Sequence, residues 1–189
     1  MLQKILIITA LKDELPNSAL MSESVVFCGV GKLNACTSTL LAIQDHKPDL
    51  ILNFGTVGRI NQSLGGLIEI KYVIQRDMIT EPLAPRGTTP FSTEPNVFSS
   101  GFGTYKCGTG DSFVTNHDSW LIENQVDVVD MELFGIAKIA NQFGIPWRSF
   151  KYITDDANHE SGTSWQSHVN QGEVLFLEAL KNIRTNSRK

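Results

Sequence analysis

Val25-Val26-Phe27-Cys28-Gly29-Val30-Gly31, then Lys32 to Asp45, then Leu50-Ile51-Leu52-Asn53-Phe54 reads as strand, glycine turn, helix and strand in one run. The two apolar runs are rich in Val, Ile and Leu without polar alternation, as expected of strands buried on both faces. Between them Leu33, Cys36, Thr37, Leu40, Leu41 and Ile43 recur at mainly helical spacing, and Pro48 predicts where the helix stops. Such a unit predicts parallel pairing and an α/β fold. Ile5 to Ala10 adds a further buried strand ahead of it.

Downstream, Ile68 to Gln75 reads as a strand with Tyr72, Val73 and Ile74 supplying bulk. Glu81 to Ser100 carries Pro82, Pro85, Pro90 and Pro95 among Thr and Ser, and is expected to be a long loop. Helical order resumes over Met131 to Gln142, Phe150 to Thr154 reads as a strand, and Gly172 to Ile183 is the last amphipathic helix. The tail from Asn182 to Lys189 is polar enough to fray.

The 189 residues fit one domain, 1–189, and 41% of them are hydrophobic. With 16 Lys+Arg against 20 Asp+Glu the formal charge is −4, which argues against a nucleic-acid face and points to small or neutral partners. The apolar run at Ile5 is too short for a signal peptide or a membrane span and ends in Lys12-Asp13-Glu14. Cys28, Cys36 and Cys107 are odd in number with no C-x-x-C spacing, so reduced cytoplasmic thiols are expected rather than disulfides or zinc. His46, His117, His159 and His168 are too scattered for a metal site.

In α/β sheets ligands collect at the carboxyl ends of strands. Leu11-Lys12-Asp13-Glu14, Gly55-Thr56-Val57-Gly58, Thr109-Gly110-Asp111-Ser112-Phe113 and Thr154-Asp155-Asp156 all follow apolar runs, and Val129-Asp130-Met131-Glu132 marks a strand entering a helix. Each has a plain structural explanation. The glycine pairs read as turns, Asp111 as an Asx-type turn, Asp155 and Asp156 as caps, Glu132 as a first-turn acid and Trp165 as a core or cap residue. Arg59, Arg76 and Arg86 read as solvated surface cations. Neither glycine pair continues as a dinucleotide fingerprint or a P-loop.

The order and spacing of these pieces resembles the nucleoside phosphorylase and nucleosidase superfamily, and within it the methylthioadenosine/S-adenosylhomocysteine nucleosidases. The resemblance is carried by Gly29-Val30-Gly31-Lys32-Leu33-Asn34-Ala35, Asn53-Phe54-Gly55-Thr56-Val57-Gly58, Gly110-Asp111-Ser112-Phe113, Asp130-Met131-Glu132 and Thr154-Asp155-Asp156-Ala157, spread from Ile5 to about Leu180. It implies a three-layer α/β/α fold around a central mixed, mostly parallel twisted sheet. It also implies cleavage of an adenine N-glycosidic bond without metal or organic cofactor, on a small nucleoside, in a homodimer.

By the same resemblance, Asp155 matches the acid that protonates purine N7, a task that needs a carboxyl protonated near neutral pH. Glu14 matches the residue that orients the attacking water, and Glu132 the acid that grips ribose hydroxyls above an apolar Met131. Thr56 stands beside the ribose, Phe113 stacks on adenine, the Val114 backbone reads the base edge, and Trp165 forms a second aromatic wall. Lys151 stands where the family has an arginine near the water, a point charge in place of a bidentate fork. The segment from Glu81 to Pro95 has no clear counterpart, and this region in the family helps form the pocket for the 5′ substituent. Acids around the sugar favour hydrolysis over phosphorolysis, since a phosphate nucleophile needs cationic donors. A purine nucleoside phosphorylase and a non-catalytic nucleoside-binding relative are the alternatives.

Overall fold

A computed structural model describes residues 3–18, 21–116, 118–158 and 161–186. β1 (Ile5–Thr9) is buried along its whole length and pairs in parallel with β2 (Ser24–Phe27) on one side and β3 (Leu50–Arg59) on the other. Its alternate side chains serve two cores. Leu6 and Ile8 pack with α1 (Lys32–His46) and α3 (Leu133–Gln142), while Ile5 and Ile7 join Phe176, Leu180 and Ile183 of α5 (Glu173–Asn186). Helices therefore cover both faces, which is why this strand has no polar alternation. β2 differs from the expectation of two-sided burial: it is a half-buried edge strand, paired only through β1.

Among the described residues eight strands form one mixed sheet in the order β2-β1-β3-β7-β6-β4-β5, completed by β4 (Leu67–Gln75), β5 (Val97–Ser99), β6 (Tyr105–Thr109), β7 (Val128–Asp130) and β8 (Trp147–Asp155). β8 lies outside that path, parallel to β3 and antiparallel to β4, so β3, β7, β6, β4 and β8 close into a ring. The α/β class with a mixed sheet is the one expected.

Two local expectations change. Gly55 to Gly58 is no turn but the continuation of β3, which keeps its ladder to β8 through that stretch. The last helix runs on to Asn186, so Asn182 to Asn186 are ordered by α5 rather than frayed. Residues 187–189, His117 and His159 lie outside the described residues.

α1 and α3 touch at Gly135, where a Cβ would stand 2.8 Å from the Lys32 carbonyl and 3.0 Å from Cys36 Sγ. That contact draws the N-terminus of α1 toward the start of α3. Glu132, which precedes α3, accepts from Gly31 N at 3.0 Å through Oε1, and Asp111 Oδ1 accepts from Lys32 N at 2.7 Å. Carboxylates thus satisfy amides that a helix start leaves without partners, and its dipole favours them there. Asp111 is accordingly a tie between β6 and α1, not the local Asx turn expected. A short 3-10 turn over Lys12–Glu14 returns Glu14 to the end of β1.

Candidate active site

A cavity of about 260 Å³ opens where these strand ends meet. That is just below the range of about 300–1,000 Å³ typical of small-molecule sites. Eight of the nine residues singled out in the sequence line it: Glu14, Thr56, Phe113, Val114, Met131, Glu132, Asp155 and Trp165. They come from the turn after β1, from β3, from the segment after β6, from the β7–α3 junction, from the end of β8 and from α4 (Ser161–His168). Lys151 is the ninth, and it stands behind the lining, 1% exposed.

Glu14 is 4% exposed and fully engaged. Its Oε2 accepts from Thr9 Oγ1 at 2.9 Å, Ala10 N at 3.1 Å and Leu11 N at 3.0 Å, and its Oε1 accepts from Thr56 N and Oγ1, both at 2.9 Å. Five donors aimed at one carboxylate fix its plane. The Thr56 hydroxyl in turn accepts from Trp165 Nε1 at 2.9 Å, which joins α4 to the same network.

Asp155 is half-buried at the end of β8. Oδ1 accepts from Ala157 N at 2.9 Å and Oδ2 from Thr154 Oγ1 at 2.9 Å. Across the ladder a Cβ on Gly58 would meet Asp155 Oδ1 at 2.7 Å and the Ala157 Cβ at 3.0 Å, so glycine is required for β3 to pass. Its neighbour Asp156 pairs with Arg59.

Lys151 explains how the acids coexist. Its Nζ lies 2.8 Å from Asp130 Oδ2, with both side chains 1% exposed. Burial opposes the charge on Lys151, but Asp130 and then Glu132 outweigh it and raise its pKa. Burial likewise works against the Asp130 carboxylate, and Lys151 with Thr109 and the Leu133 amide hold its pKa below the ordinary value. Glu132 has no such direct partner: burial first, then Asp130, pushes its pKa up to about 7. Gly55 lets the ammonium approach, since a Cβ there would stand 3.1 Å from Nζ and 3.4 Å from Glu14 Oε1.

The three arginines are not the solvated surface expected. Arg76 is 5% exposed and lines the cavity, and Arg59 and Arg86 are engaged with Asp156 and Asp118. Burial of Arg76 is made possible by Gly110 and Ser112, which sequence spacing does not connect to it, and by the adjacent Asp77. It nonetheless follows the apolar run of β4 directly, the same signal that marked the other strand-end residues. No residue between 81 and 95 lines the cavity within this single chain. No group of three or more His, Cys, Asp or Glu among the described residues is placed to hold a metal ion, and no described helix is long and apolar enough to cross a membrane.

This chain, an α/β fold with acids gathered at one cavity, belongs to the phosphorylase superfamily, whose family model matches residues 21–183. Within reach of it are 5′-methylthioadenosine/S-adenosylhomocysteine nucleosidases. The chain is 25% identical to that of Staphylococcus epidermidis over 80% of its own length and 76% of the relative's, and 28% identical to that of Listeria monocytogenes over 82% and 79%. In fold it matches a mutant Helicobacter pylori MTAN with 5′-methylthioadenosine in the active site, at a TM-score of 0.86 and 19% identity, over 96% of this chain and 99% of that one. A mutant futalosine hydrolase of the same organism matches at 0.83 and 17% identity, over 95% and 99%.

Replacing Lys151 with Met strands Asp130 beside Glu132. The expected cost is about 3–5 kcal/mol of unfolding free energy in a denaturant titration at neutral pH; a loss below about 1 kcal/mol contradicts the charge assignment. A second expectation concerns pH. The folded Glu132 carboxyl keeps its proton up to about 7 against an ordinary value of 4.5. The folded state therefore binds more protons between those values, and this group's contribution to stability falls as pH rises through that window and is constant above it. Glu132→Gln removes the decline, so its stability profile is flatter there than that of the unmodified protein; an unchanged slope contradicts the assignment.

Proposed function

We propose that the chain is a purine nucleosidase that hydrolyses the N-glycosidic bond of 5′-substituted adenosines, such as methylthioadenosine and S-adenosylhomocysteine, to adenine and the ribose derivative. One observation carries the reading. Glu14, Glu132 and Asp155 converge on one cavity, while its only lining cation among the described residues, Arg76, is engaged by Ser112 and Gly110. A phosphate nucleophile needs free cationic donors, which this lining does not offer, whereas water needs none.

In this reading Asp155 gives a proton to purine N7 as the C1′–N9 bond breaks, which neutralises the leaving base. The sugar gains oxocarbenium character, and the surrounding carboxylates stabilise that positive charge. Glu14, with Thr56, orients a water whose oxygen forms the new bond to C1′ while its proton passes toward the carboxylate. Glu132 grips the ribose hydroxyls over Met131 by hydrogen bonding. Phe113 and Trp165 flank the base and sugar, the Val114 backbone meets the base edge, and Lys151 acts through Asp130 and the carboxylates in front of it. The similarity to nucleosidases of that name supports the choice of 5′-substituted adenosines. The chemistry draws on side chains alone.

The same reading includes a homodimer and a cytoplasmic setting. Val30 and Phe113 at the cavity rim are 44% and 56% exposed, and Leu33, Ile79, Leu83 and Phe91 are exposed as well, so a second copy has apolar surface to cover. The free thiols Cys28, Cys36 and Cys107 suit a reducing compartment.

The purified protein incubated with methylthioadenosine, S-adenosylhomocysteine, adenosine, inosine or AMP is expected to release adenine from the first two without phosphate, followed by chromatography. Asp155→Asn is expected to lower turnover at least about 100-fold while ligand binding persists. Release strictly dependent on phosphate, or near-normal turnover by that variant, overturns the assignment. Light scattering is expected to give the mass of two chains, and a monomer contradicts the dimer.

A further inference from the structure

β4 ends at Gln75 and leads into Arg76-Asp77, and Arg76 is buried at the cavity wall although no carboxylate among the described residues binds its guanidinium directly. Instead it holds the segment that leads into Phe113. Nη1 donates to Ser112 Oγ at 3.0 Å, and Nη2 donates to Gly110 O at 3.0 Å and to Ser112 O. Hydrogen bonds from a charged donor are about twice as strong as neutral ones; the one to Gly110 is buried and those to Ser112 are partly so. Burial, only partly offset by Asp77 and Asp130, lowers the pKa of this arginine, so the charge is held at some cost to itself.

Arg76 is itself held by the proline-rich segment. Arg86 Nε donates to the Arg76 carbonyl at 2.6 Å, its guanidinium lies 4.5 Å from the Trp120 ring centre, and Nη1 pairs with Asp118 at 2.9 Å. Asp118 caps α2 (Ser119–Glu123), which carries Trp120. At the next residue a Cβ on Gly87 would stand 3.0 Å from Trp120 and 3.2 Å from the Gln75 carbonyl. The backbone of the segment therefore lies directly on the end of β4 and on α2. Its far end is fixed by Glu94, which accepts from Lys138 and Gln142 of α3. Trp120 and Val114 pack against one small core with Ile74, Leu121 and Val126. The chain from Gly110 to Val114 is thus gripped at its start by Arg76 and at its end by this core.

We propose that Arg76 is a positioning residue for base recognition, held in register by the proline-rich segment through Arg86. The proposal rests on the purine-nucleoside reading of the site. It gives the segment between 81 and 95, which does not line the cavity, a role in the same chemistry. Arg76 acts on the half of the cavity that holds Phe113 and Val114, and the sugar half, built from Glu14, Thr56, Met131 and Glu132, stands on other supports.

The test compares the unmodified protein with Arg76→Met, Arg76→Lys and Arg86→Ala in equilibrium titrations with adenine and, separately, with methylthioribose, alongside kcat and KM for methylthioadenosine. Arg76→Met is expected to weaken adenine binding at least tenfold and to raise KM by more than it lowers kcat, with methylthioribose affinity within twofold. Arg76→Lys, which keeps the charge without the fork, is expected to fall between. Arg86→Ala, outside the cavity lining, is expected to weaken adenine about threefold, and it supplies the readout if the Arg76 variants do not fold. Equal weakening of adenine and methylthioribose, or unchanged adenine binding, overturns the positioning role while leaving the nucleosidase reading intact. An unmodified protein that neither binds adenine nor releases it overturns both.

Discussion

One buried ammonium makes the site possible. Lys151 stands among Asp130, Glu132 and Glu14 where solvent cannot screen them. Three carboxyl groups in so small a volume do not all ionise easily at the low effective dielectric of an interior, which is why the pKa of Glu132 is raised, and a buried ion pair survives only when its remaining polar atoms are satisfied. On the carboxylate side they are: Asp130 also accepts from Thr109 Oγ1 at 2.6 Å and from Leu133 N at 3.0 Å, and the same Thr109 oxygen accepts from Phe134 N at 3.0 Å. The pair thereby joins β6, β7, the start of α3 and β8. A compact ammonium fits beside Gly55 where a planar fork needs more room.

The ring of strands gives that pair its place. β8 closes β3 onto β4, carries Lys151 inward at its middle, and ends in Asp155 at the cavity. One strand therefore supplies both the charge that tolerates the acids and one of the acids. The helix–helix contact at Gly135 brings Gly31 N to Glu132, and the 3-10 turn after β1 returns Glu14 to the same point. Glu14 and Glu132 are each fixed by donors from another element, β3 for one and the start of α1 for the other, while Asp155 is held by its chain neighbours Thr154 and Ala157, so the constellation is a product of topology rather than of any single loop.

This explains what was legible in the sequence and what was not. Apolar runs announce strands, and the rule that ligands gather at strand ends singled out Glu14, Thr56, Phe113, Glu132 and Asp155 without knowledge of the topology. Depth was not legible. Arg76 read as an ordinary surface cation, and Lys151, singled out only by the resemblance, gave no sign of its depth, because their burial depends on partners far away in sequence: Gly110 and Ser112 for one, Asp130 for the other. The Gly55 and Gly58 pair read as a turn because glycine marks both turns and close approaches, and only the packing of Lys151 and Asp155 against β3 distinguishes them. The proline-rich segment read as a loop of uncertain purpose, since its anchors, Arg86 on Trp120 and Glu94 on α3, are contacts that no local pattern encodes.

The central claim is that acids arranged around Lys151 direct water, not phosphate, to the anomeric carbon. Turnover of methylthioadenosine in ¹⁸O-labelled water, with phosphate present, quenched by reduction of the sugar before exchange and read by mass spectrometry, tests it most directly. The account predicts one ¹⁸O atom at C1 of the released sugar. A sugar 1-phosphate carrying no label contradicts it.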